Sequence, residues 1–419
     1  MVDSIFWIWL QEALGAGNIK VDKVIRQIGS PETVYHMSKS ELAQTGFFAP
    51  KEIEKIKATN LEHARENQRL AKRYGCQIIT PDHSNYPYNL TNIDCMPCVL
   101  YVVGDISGID EELVITMVGT RSSTEYGETA AAKLAFDLSA AGCMIASGLA
   151  VGIDYASHEG ALKANGRSIG LLACGMNVDY PTTSNELKRR ILDCGGALIT
   201  EFPFGEKAHR YHFNIRNRIL SGIASGVVVV QAPDHSGALN TARHAMEQNR
   251  EVFAVPGDIF DTSMTGCNQL IRDGAKIVVN VYSILEEFIN QFPEKIDPKS
   301  VVSKIRQASG NIKKEHLVRI PRKVMRINAD GTEQELLMVA QEAVKPLIKL
   351  DDSALDALSV SDAAKKIYRL LDRQPADCEW IASRTELTAM EMMTALTELE
   401  LHELVNVLPG KRFTVQETK

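Results

Sequence analysis

Short apolar segments alternate with segments of helical spacing between about residues 76 and 290. The apolar segments are rich in β-branched residues and read CQIIT, VLYVVG, LVITMVG, CMIASG, SIGLLACG, ALITEF, GVVVVQA, EVFAVPG and AKIVVN. Stretches such as GETAAAKLAFDLSAAG and IDYASHEGALKANG separate them. Because these segments are nearly continuous in their hydrophobicity, they predict an α/β domain with a parallel sheet covered on both faces. Such sheets bind ligands at the carboxyl ends of their strands.

Helical spacing predominates at both ends of the chain. Residues 1–75 contain VDKVIRQIG and KEIEKIKATN, which predict a small bundle of short helices. Residues 356–419 contain three helical segments and then LVNVLPGKRFTVQ, which predicts a hairpin around Pro409 and Gly410. Three helices and a hairpin are typical of a winged helix. The third helix begins with a predicted capping box, Thr388 with Glu391. Its predicted buried stripe comprises Ala389, Met392, Leu396 and Leu399.

Charge is distributed unevenly over the second half of the chain. The segment Lys295–Arg326 has ten Lys and Arg against two acidic residues, whereas Ser353–Lys419 has eleven acidic and eight basic residues. The basic segment lies within residues 291–355, a region of little periodicity. It is interpreted as a solvated linker. The alternative is a flexible arm that follows a phosphate backbone. The acidity of the C-terminal unit makes a protein contact or dimerisation at least as well supported as duplex binding.

The bulk composition limits the classes of protein to consider. A chain of 419 residues with 24% charged residues is typical of a globular protein with two or three domains. Its formal net charge of -7 excludes an overall basic coat but allows a local basic groove. The N-terminus predicts an amphipathic helix rather than a signal peptide, and no apolar run is long enough to span a membrane. Eight scattered cysteines predict reduced thiols in the cytoplasm, and the single CxxC pair, Cys95 and Cys98, favours a loop over a zinc site.

Several glycine-bearing turns follow predicted strands, and they point to an anion. The chain has no Walker-type phosphate loop, no GxGxxG and no HExxH, and Ser147 does not stand in a GxSxG sequence. It does have MVGTR, ASGLAVGID and QAPDHSGALNTARHA, each of which ends a strand or precedes a helix. Glycine allows close approach of the backbone, and a helix start offers free N–H groups to a phosphate. Asp154 and His158, four residues apart on the next helix, are interpreted as a local pair rather than as metal ligands.

The stretch HRYHFNIRNR, His209–Arg218, concentrates cations and rings. If HRYHF is extended, Arg210 and Phe213 point to opposite sides, and Asn214 caps a helix that begins at Ile215. Arginines beside exposed aromatic rings are typical of single-stranded nucleic acid binding, because cations follow the backbone and rings stack on bases. An aromatic plug under the sheet with surface arginines is the equally weighted alternative.

The two arginines of the RNR sequence flank the buried stripe of that helix on opposite sides. They are therefore expected not to hold the same phosphate. One of them, Arg216 or Arg218, is predicted to meet the ligand while the other anchors an internal carboxylate.

These motifs, in this order, resemble the DprA/Smf family of DNA-processing proteins. The resemblance rests on GTR, SGLAVGIDYASHEGAL, GMNVDYP, ITEFPFG, HFNIRNRILSG, SGALNTA, VPGD and GCNQLIRDGA. It implies an extended Rossmann-like core, a SAM-like N-terminal helical domain and a C-terminal winged-helix domain. The expected domains are 1–75, SAM-like; 76–290, extended Rossmann; 291–355, basic linker; and 356–419, winged helix.

The resemblance also implies a function and a site. It implies a protein that binds single-stranded DNA, protects incoming strands, helps load RecA in natural transformation, and forms a homodimer through its Rossmann domains. Together with the scattered cysteines and the missing metal motifs, we expect a cytoplasmic, non-enzymatic protein without metal or cofactor. The alternative is a nucleotide phosphoribohydrolase of the LOG type, in which a glutamate would stand where this chain has His244. The predicted DNA-binding residues are Arg121, Ser147, Gly148, Arg210, Phe213, Arg216, Asn217, Arg218, Ser236 and Gly237.

Overall fold

The computed structural model forms two compact units, Met1–Ala340 and Gln341–Lys419. It describes residues 3–293, 295–296, 304–305, 322–327, 333–338, 355–356, 360–371, 376–385, 387–402, 404–408 and 412–415. Among these residues, no helix combines the length and the hydrophobicity that crossing a membrane requires.

The first unit begins with a bundle of short helices, as the sequence predicts. Its first helix is held at its start by the Asp3 carboxylate, which accepts the N–H of Ile5, and it buries Trp7, Trp9 and Leu10. The helices are α1 Ser4–Leu14, α2 Lys20–Lys23, α3 Pro31–His36, α4 Lys39–Gln44, α5 Pro50–Ala58 and α6 Glu62–Arg73, with a π-helical turn at Val24–Ile28. Pro31 and Pro50 stand in the first turns of their helices, where their missing N–H costs no hydrogen bond.

All nine apolar segments form strands of one sheet. The strands are β1 Gln77–Ile79, β2 Leu100–Gly104, β3 Val114–Gly119, β4 Met144–Ser147, β5 Ser168–Leu171, β6 Ala197–Thr200, β7 Gly226–Gln231, β8 Glu251–Ala254 and β9 Lys276–Ile277. Their order across the sheet is β1-β2-β6-β5-β4-β3-β7-β8-β9. The strands from β3 to β9 are parallel, but β1 pairs with β2 and β2 with β6 in antiparallel fashion. The sequence predicted a parallel sheet, and this expectation is wrong at one edge. There the loop from β1 to β2 lacks the helix that a parallel crossover uses.

Helices cover both faces of this sheet. They are α7 Glu125–Ala141, α8 Ile153–Lys163, α9 Asn185–Asp193, α10 Arg210–Gly222, α11 Gly237–Glu247, α12 Thr265–Arg272 and α13 Tyr282–Leu285. Alternate residues of the central strands enter different cores: Ile115 and Val228 lie in one, Val114 and Val227 in the other. This two-sided burial explains why the strands are nearly continuous in hydrophobicity.

Two further strands lie in the segment interpreted as a basic linker. They are β10 Arg322–Ile327 and β11 Glu333–Met338, and they pair antiparallel. The sequence shows little periodicity there, and it did not predict them. Most of the remaining 291–355 segment lies outside the described residues.

The second unit contains the three helices and the hairpin that the sequence predicts. They are α14 Asp362–Leu370, α15 Cys378–Thr385, α16 Ala389–Leu401 and strands β12 Ala376–Asp377, β13 Val405–Leu408 and β14 Arg412–Val415, in the sheet order β12-β14-β13. Thr388 and Glu391 form the predicted capping box. The predicted stripe is wrong at Ala389, which is exposed because it stands at the first position of the helix; Ala395 is buried instead.

Candidate functional site

The sheet changes its direction of winding between β3 and β7. From β3 the chain proceeds through β4, β5 and β6 on one side, and β7 then returns to the other side of β3. Ligands of open α/β sheets bind at such switch points, beyond the carboxyl ends of the strands. Here β3 ends at Gly119 and β7 at Gln231, while α8 and α11 begin above them.

A cavity of about 850 Å³ opens at this point. We call it the main pocket. It is lined by Val118, Gly119, Thr120, Arg121, Ala150, Asp154, Arg210, Phe213, Asn214, Arg216, Asn217, Leu220, Pro233, His235, Ser236, Gly237, Ala238 and Thr241. The predicted residues that it brings together are Arg121, Arg210, Phe213, Arg216, Asn217, Ser236 and Gly237.

Two glycines place the GTR turn against the start of α8. A Cβ on Gly119 would stand 2.5 Å from the Ile153 side chain, and a Cβ on Gly152 would stand 2.6 Å from the carbonyl oxygen of Thr120. Gly152 also has a φ of +82°, a conformation that L side chains rarely adopt. The turn therefore fits closely enough to project Arg121 over the Phe213 ring, 4.7 Å from the guanidinium carbon to the ring centroid.

The stretch RYHF is helical rather than extended. Helix α10 begins at Arg210, so Asn214 lies within it and does not cap it. A helical period places positions 210, 213, 214 and 217 on one face, and all four of these residues line the main pocket. The expectation that Arg210 and Phe213 point to opposite sides was therefore wrong, because it assumed the period of a strand.

Helix α11 supplies the opposite wall. The Ser236 hydroxyl caps it by accepting the N–H of Ala238, and the side-chain amide of Asn217 donates to the Gly237 carbonyl at 3.3 Å. The first turns of α10 and α11 contain no acidic residue. Their positive dipole ends are therefore available to an anion in the main pocket.

Arg216 forms the buried base of the site. It is 5% exposed, and one guanidinium nitrogen donates to the Leu171 carbonyl at 3.1 Å. Burial lowers the pKa of Arg216 to about 10, although the carboxylate of Asp154 opposes that shift. Burial also raises the pKa of Asp154, against the opposing effects of Arg216 and Arg121. Each group is thus costly to bury alone and is partly compensated by the other.

Arg218 does not line the main pocket. Its prediction as a DNA contact is corrected, because its guanidinium is paired with a buried carboxylate. It is 5% exposed, and one guanidinium nitrogen donates to both carboxylate oxygens of Glu201, at 2.7 and 2.8 Å. Glu201 is itself only 2% exposed. The expected division of labour between the two arginines is therefore observed in part: Arg218 is the one that anchors an internal carboxylate.

Ser147 and Gly148 are also placed differently from the prediction. Ser147 is fully buried and donates its hydroxyl to the Met117 carbonyl at 2.7 Å, so it holds β4 to β3 and does not reach the main pocket. Gly148 makes room for Arg216, because a Cβ there would stand 1.8 Å from a guanidinium nitrogen. The sequence showed a glycine-rich turn but could not show which of its residues face inward.

Comparison with known proteins identifies the family. A family model described as DNA recombination-mediator protein A matches residues 77–289, half of the chain, and one described as DprA winged helix domain matches residues 351–411. The chain belongs to the DprA/Smf family. Protein Smf of Synechocystis sp. is 28% identical over 425 residues, 98% of each chain. DNA processing protein DprA of Bacillus subtilis is 40% identical over 216 residues, which are 52% of this chain and 72% of that protein.

A solved member of the family has the same fold. The X-ray structure of DNA processing protein A from Streptococcus pneumoniae matches this chain with a TM-score of 0.59 and 28% identity, covering 68% of this chain and 99% of that one. The resemblance and the fold class inferred from the motifs are therefore confirmed.

Asn214, His235 and Thr241 line the main pocket but were not predicted to do so. The spacing of Asn214 from Arg210 would have indicated it, had the helix been expected to begin at residue 210. Asp154 and His158 were interpreted as a pair, yet each has another partner: Asp154 interacts with Arg216, and the His158 ring bonds to the Ser168 hydroxyl at 2.7 Å. Within the described residues, no cluster of three or more His, Cys, Asp or Glu is arranged to hold a metal.

Replacing Gly148 by alanine tests its role as the space for Arg216. We expect Gly148→Ala to lower the free energy of unfolding by about 1–3 kcal/mol, because the displaced guanidinium leaves buried polar groups unpaired. In an Arg216→Met background the same change should cost much less. Gly237→Ala is the matched control, since its Cβ would meet nothing within 4 Å. Equal costs of Gly148→Ala in both backgrounds, measured by urea unfolding, would contradict this role.

Proposed function

We propose that this chain is a non-enzymatic single-stranded DNA-binding protein that holds DNA in the main pocket, protects incoming strands and helps to load RecA onto them in natural transformation. The observation that supports this most directly is the pairing of Arg121 with Phe213 at the pocket wall. A cation and an aromatic ring at one site can hold a phosphate and a base of the same strand.

The charge of the main pocket suits a polyanion although the whole chain is acidic. Among the described residues that line it, three are arginines and one, Asp154, is a carboxylate. Arg121 and Arg210 are exposed, whereas Arg216 and Asp154 are buried at its base. The accessible rim is therefore cationic, and the starts of α10 and α11 add partial positive charge.

Single strands are favoured over duplex by the same arrangement. Phe213 is half-buried and lines the cavity, so stacking on its ring requires a base with an exposed face. A duplex hides the faces of its bases within the stack. Phosphate contacts alone would bind both forms, and the ring therefore provides the discrimination.

The geometry does not favour the phosphoribohydrolase alternative. His244, at the position where that family has its glutamate, is bonded to Glu247 at 3.3 Å and does not line the main pocket. Asp154, the carboxylate that does line it, is 7% exposed and electrostatically engaged by two arginines. This arrangement supports the proposal of a non-enzymatic role.

A salt titration of DNA binding tests the proposal. The wild-type chain should bind oligo-dT at least about tenfold more tightly than duplex, since each stacked base contributes about 1–3 kcal/mol. Arg121→Ala should weaken binding and reduce the slope against log salt by about 0.7, the value for one lost phosphate contact on a single strand. Phe213→Leu should weaken binding about tenfold with the slope unchanged.

Arg69→Ala is the matched control, because this arginine is exposed on α6 in the N-terminal bundle. Its affinity and slope should equal those of the wild type. Equal affinity of the wild type for duplex and single strands would overturn the proposal, and normal binding by both pocket variants would overturn the site.

The RecA part of the proposal is supported by the recombination-mediator description of the matching family model. It predicts that the chain shortens the lag of RecA ATP hydrolysis on single strands already coated with a single-strand-binding protein. Phe213→Leu should lose this effect in proportion to its affinity. An unchanged lag with the wild-type chain at saturating concentration would refute RecA loading while leaving DNA binding intact.

We further propose that the chain forms a homodimer through its Rossmann domain, at the β9 edge of the sheet. Strand β9 is the last of the nine-stranded order, and Ile277 and Val279 at this edge are 49% and 70% exposed. Apolar side chains on an unpaired edge strand favour association. Ile277→Glu should shift the protein to a monomer in sedimentation measurements, while Ile19→Glu, equally exposed on the helical bundle, should not. A wild-type monomer at micromolar concentration would exclude the dimer.

A cytoplasmic location is part of the same proposal. Cys76, Cys98, Cys143, Cys174 and Cys267 are buried free thiols. Burial raises the pKa of the Cys143 and Cys267 thiols to about 12, so both remain protonated and unreactive. Thiols of this kind are typical of reducing compartments.

A further inference from the structure

A cavity separate from the main pocket lies where the N-terminal helical bundle meets the sheet domain. We call it the rear cavity. Pockets that take small-molecule ligands measure about 300–1,000 Å³. The rear cavity measures about 430 Å³, so it has room for a compact molecule. It is lined by Ile8, Gln11, Glu12, Gly15, Ala16, His63, Tyr101, Phe202, Pro203, Glu206, Tyr211, His212 and Ile215.

Helix α10 separates the rear cavity from the main pocket. Its positions 211, 212 and 215 line the rear cavity, whereas positions 210, 213, 214 and 217 line the main pocket. The helical period places these two sets on opposite sides of α10. No residue lines both cavities. A ligand of the rear cavity is therefore distinct from the DNA proposed for the main pocket.

The first of two carboxylates in the rear cavity belongs to Glu12 on α1. Its side chain is 15% exposed, and burial raises the pKa of Glu12 although His63 opposes that shift. The His63 ring bonds to this carboxylate, but it balances the charge only when the ring is protonated. A half-buried carboxylate without a permanent positive partner is costly, and a cation beside it would stabilise it.

The second carboxylate belongs to Glu206, in the loop between β6 and α10. It stands 3.6 Å from a ring nitrogen of His212, which is longer than a hydrogen bond. Burial lowers the pKa of His212, against the opposing effect of Glu206, so the ring is mainly neutral at neutral pH. Its other ring nitrogen accepts the backbone N–H of His209 at 3.4 Å. His212 therefore does not cancel the charge of Glu206.

Aromatic rings form much of the remaining wall. Phe202 stacks on His212 with 4.1 Å between ring centroids, and Tyr211 stands 4.3 Å from the same ring at 73°. Tyr101 and Phe202 are buried, whereas Tyr211 is 59% exposed. Ring faces attract cations, and rings also pack against alkyl chains. These walls therefore suit a ligand that is both cationic and partly apolar.

The rest of the lining adds acceptors and no fixed cation. Among the described residues that line the rear cavity, none is a lysine or an arginine. The side-chain nitrogen of Gln11 donates to the Glu201 carbonyl, and its buried side-chain oxygen makes no hydrogen bond to any described residue. Within the part of the chain that the structure describes, no cluster of His, Cys, Asp and Glu is arranged to hold a metal. An organic cation suits this lining better than a metal ion.

We propose that the rear cavity is a binding site for a small aliphatic diamine. Its ammonium groups pair with the carboxylates of Glu12 and Glu206, and its carbon chain lies against the rings of Phe202 and Tyr211. The ligand supplies the positive charges that the described lining lacks. This site goes beyond the proposed function, since none of its contacts involves DNA.

Calorimetric titration of the full chain with diaminobutane tests the proposal. The wild type should bind it saturably, with one ligand per chain. Butanediol has the same length and no charge, and it should bind at least about tenfold more weakly. Glu12→Gln should weaken diamine binding about tenfold, and Glu206→Gln about threefold because this carboxylate is more exposed. Tyr211→Leu should weaken it about threefold through the lost ring face.

Glu32→Gln is the matched control, because it makes the same change at an exposed residue of α3 that does not line the rear cavity. It should bind diaminobutane as the wild type does. Urea unfolding identifies any variant that is not folded. If Glu12→Gln fails to fold, Glu206→Gln and Tyr211→Leu still test the site, since both side chains are partly exposed.

Four results would overturn the inference. Equal affinity for diaminobutane and butanediol would show that the cavity does not select a cation. Normal diamine binding by the folded glutamine variants would show that the diamine binds elsewhere. Displacement of the diamine by an equal concentration of magnesium ions would indicate general attraction to an acidic chain. Absence of saturable binding at millimolar diamine would exclude the site. All four measurements are made without DNA, so they are independent of the proposed function.

Discussion

The buried ion pair between Arg218 and Glu201 fixes the helix on which the candidate site depends. Glu201 directly follows β6, and its carboxylate also accepts the N–H of Gly17, while its carbonyl accepts the side chain of Gln11. One residue therefore joins the sheet, the N-terminal bundle and α10. Removing one partner of such a pair leaves an uncompensated buried charge, which costs about 3–5 kcal/mol. The rotation of α10 about its axis decides which of its side chains enter the main pocket. By fixing that rotation, this ion pair determines that Arg210 and Phe213 face the pocket.

The same helix shows how an acidic protein can present a cationic site. The two arginines of the RNR sequence lie in different environments. Arg218 binds an internal carboxylate, and Arg216 lies at the base of the main pocket. The net charge of -7 averages these arginines with the charges of the whole chain and therefore carries no information about the pocket. What matters for a phosphate is the local arrangement: exposed Arg121 and Arg210 at the rim, and two helix starts free of acidic residues.

Patterns of hydrophobicity predicted the elements of this fold better than the orientation of its site. Nine apolar segments became nine strands because a sheet buried on both faces requires such segments, whatever their order. The antiparallel edge was missed because direction depends on the connection and not on the strand itself. Ser147 and Gly148 were assigned to the ligand because a glycine-rich turn has the same sequence whether it faces a cavity or a buried arginine. The start of α10 was missed because a helix that begins with His, Arg and aromatic residues lacks the usual capping side chain.

The errors at Ser147, Gly148 and the start of α10 fall at the site, and a physical reason connects them. A binding site needs close backbone approaches, buried charge and strained turns, and each of these departs from the local preferences on which sequence prediction relies. Gly119 and Gly152 admit a turn that no other residue would fit, and Leu149 has a backbone conformation that its side chain disfavours. The main pocket exists because these features are held together by the surrounding core. The packing of that core is what holds the guanidinium of Arg121 and the ring of Phe213 together at the pocket wall.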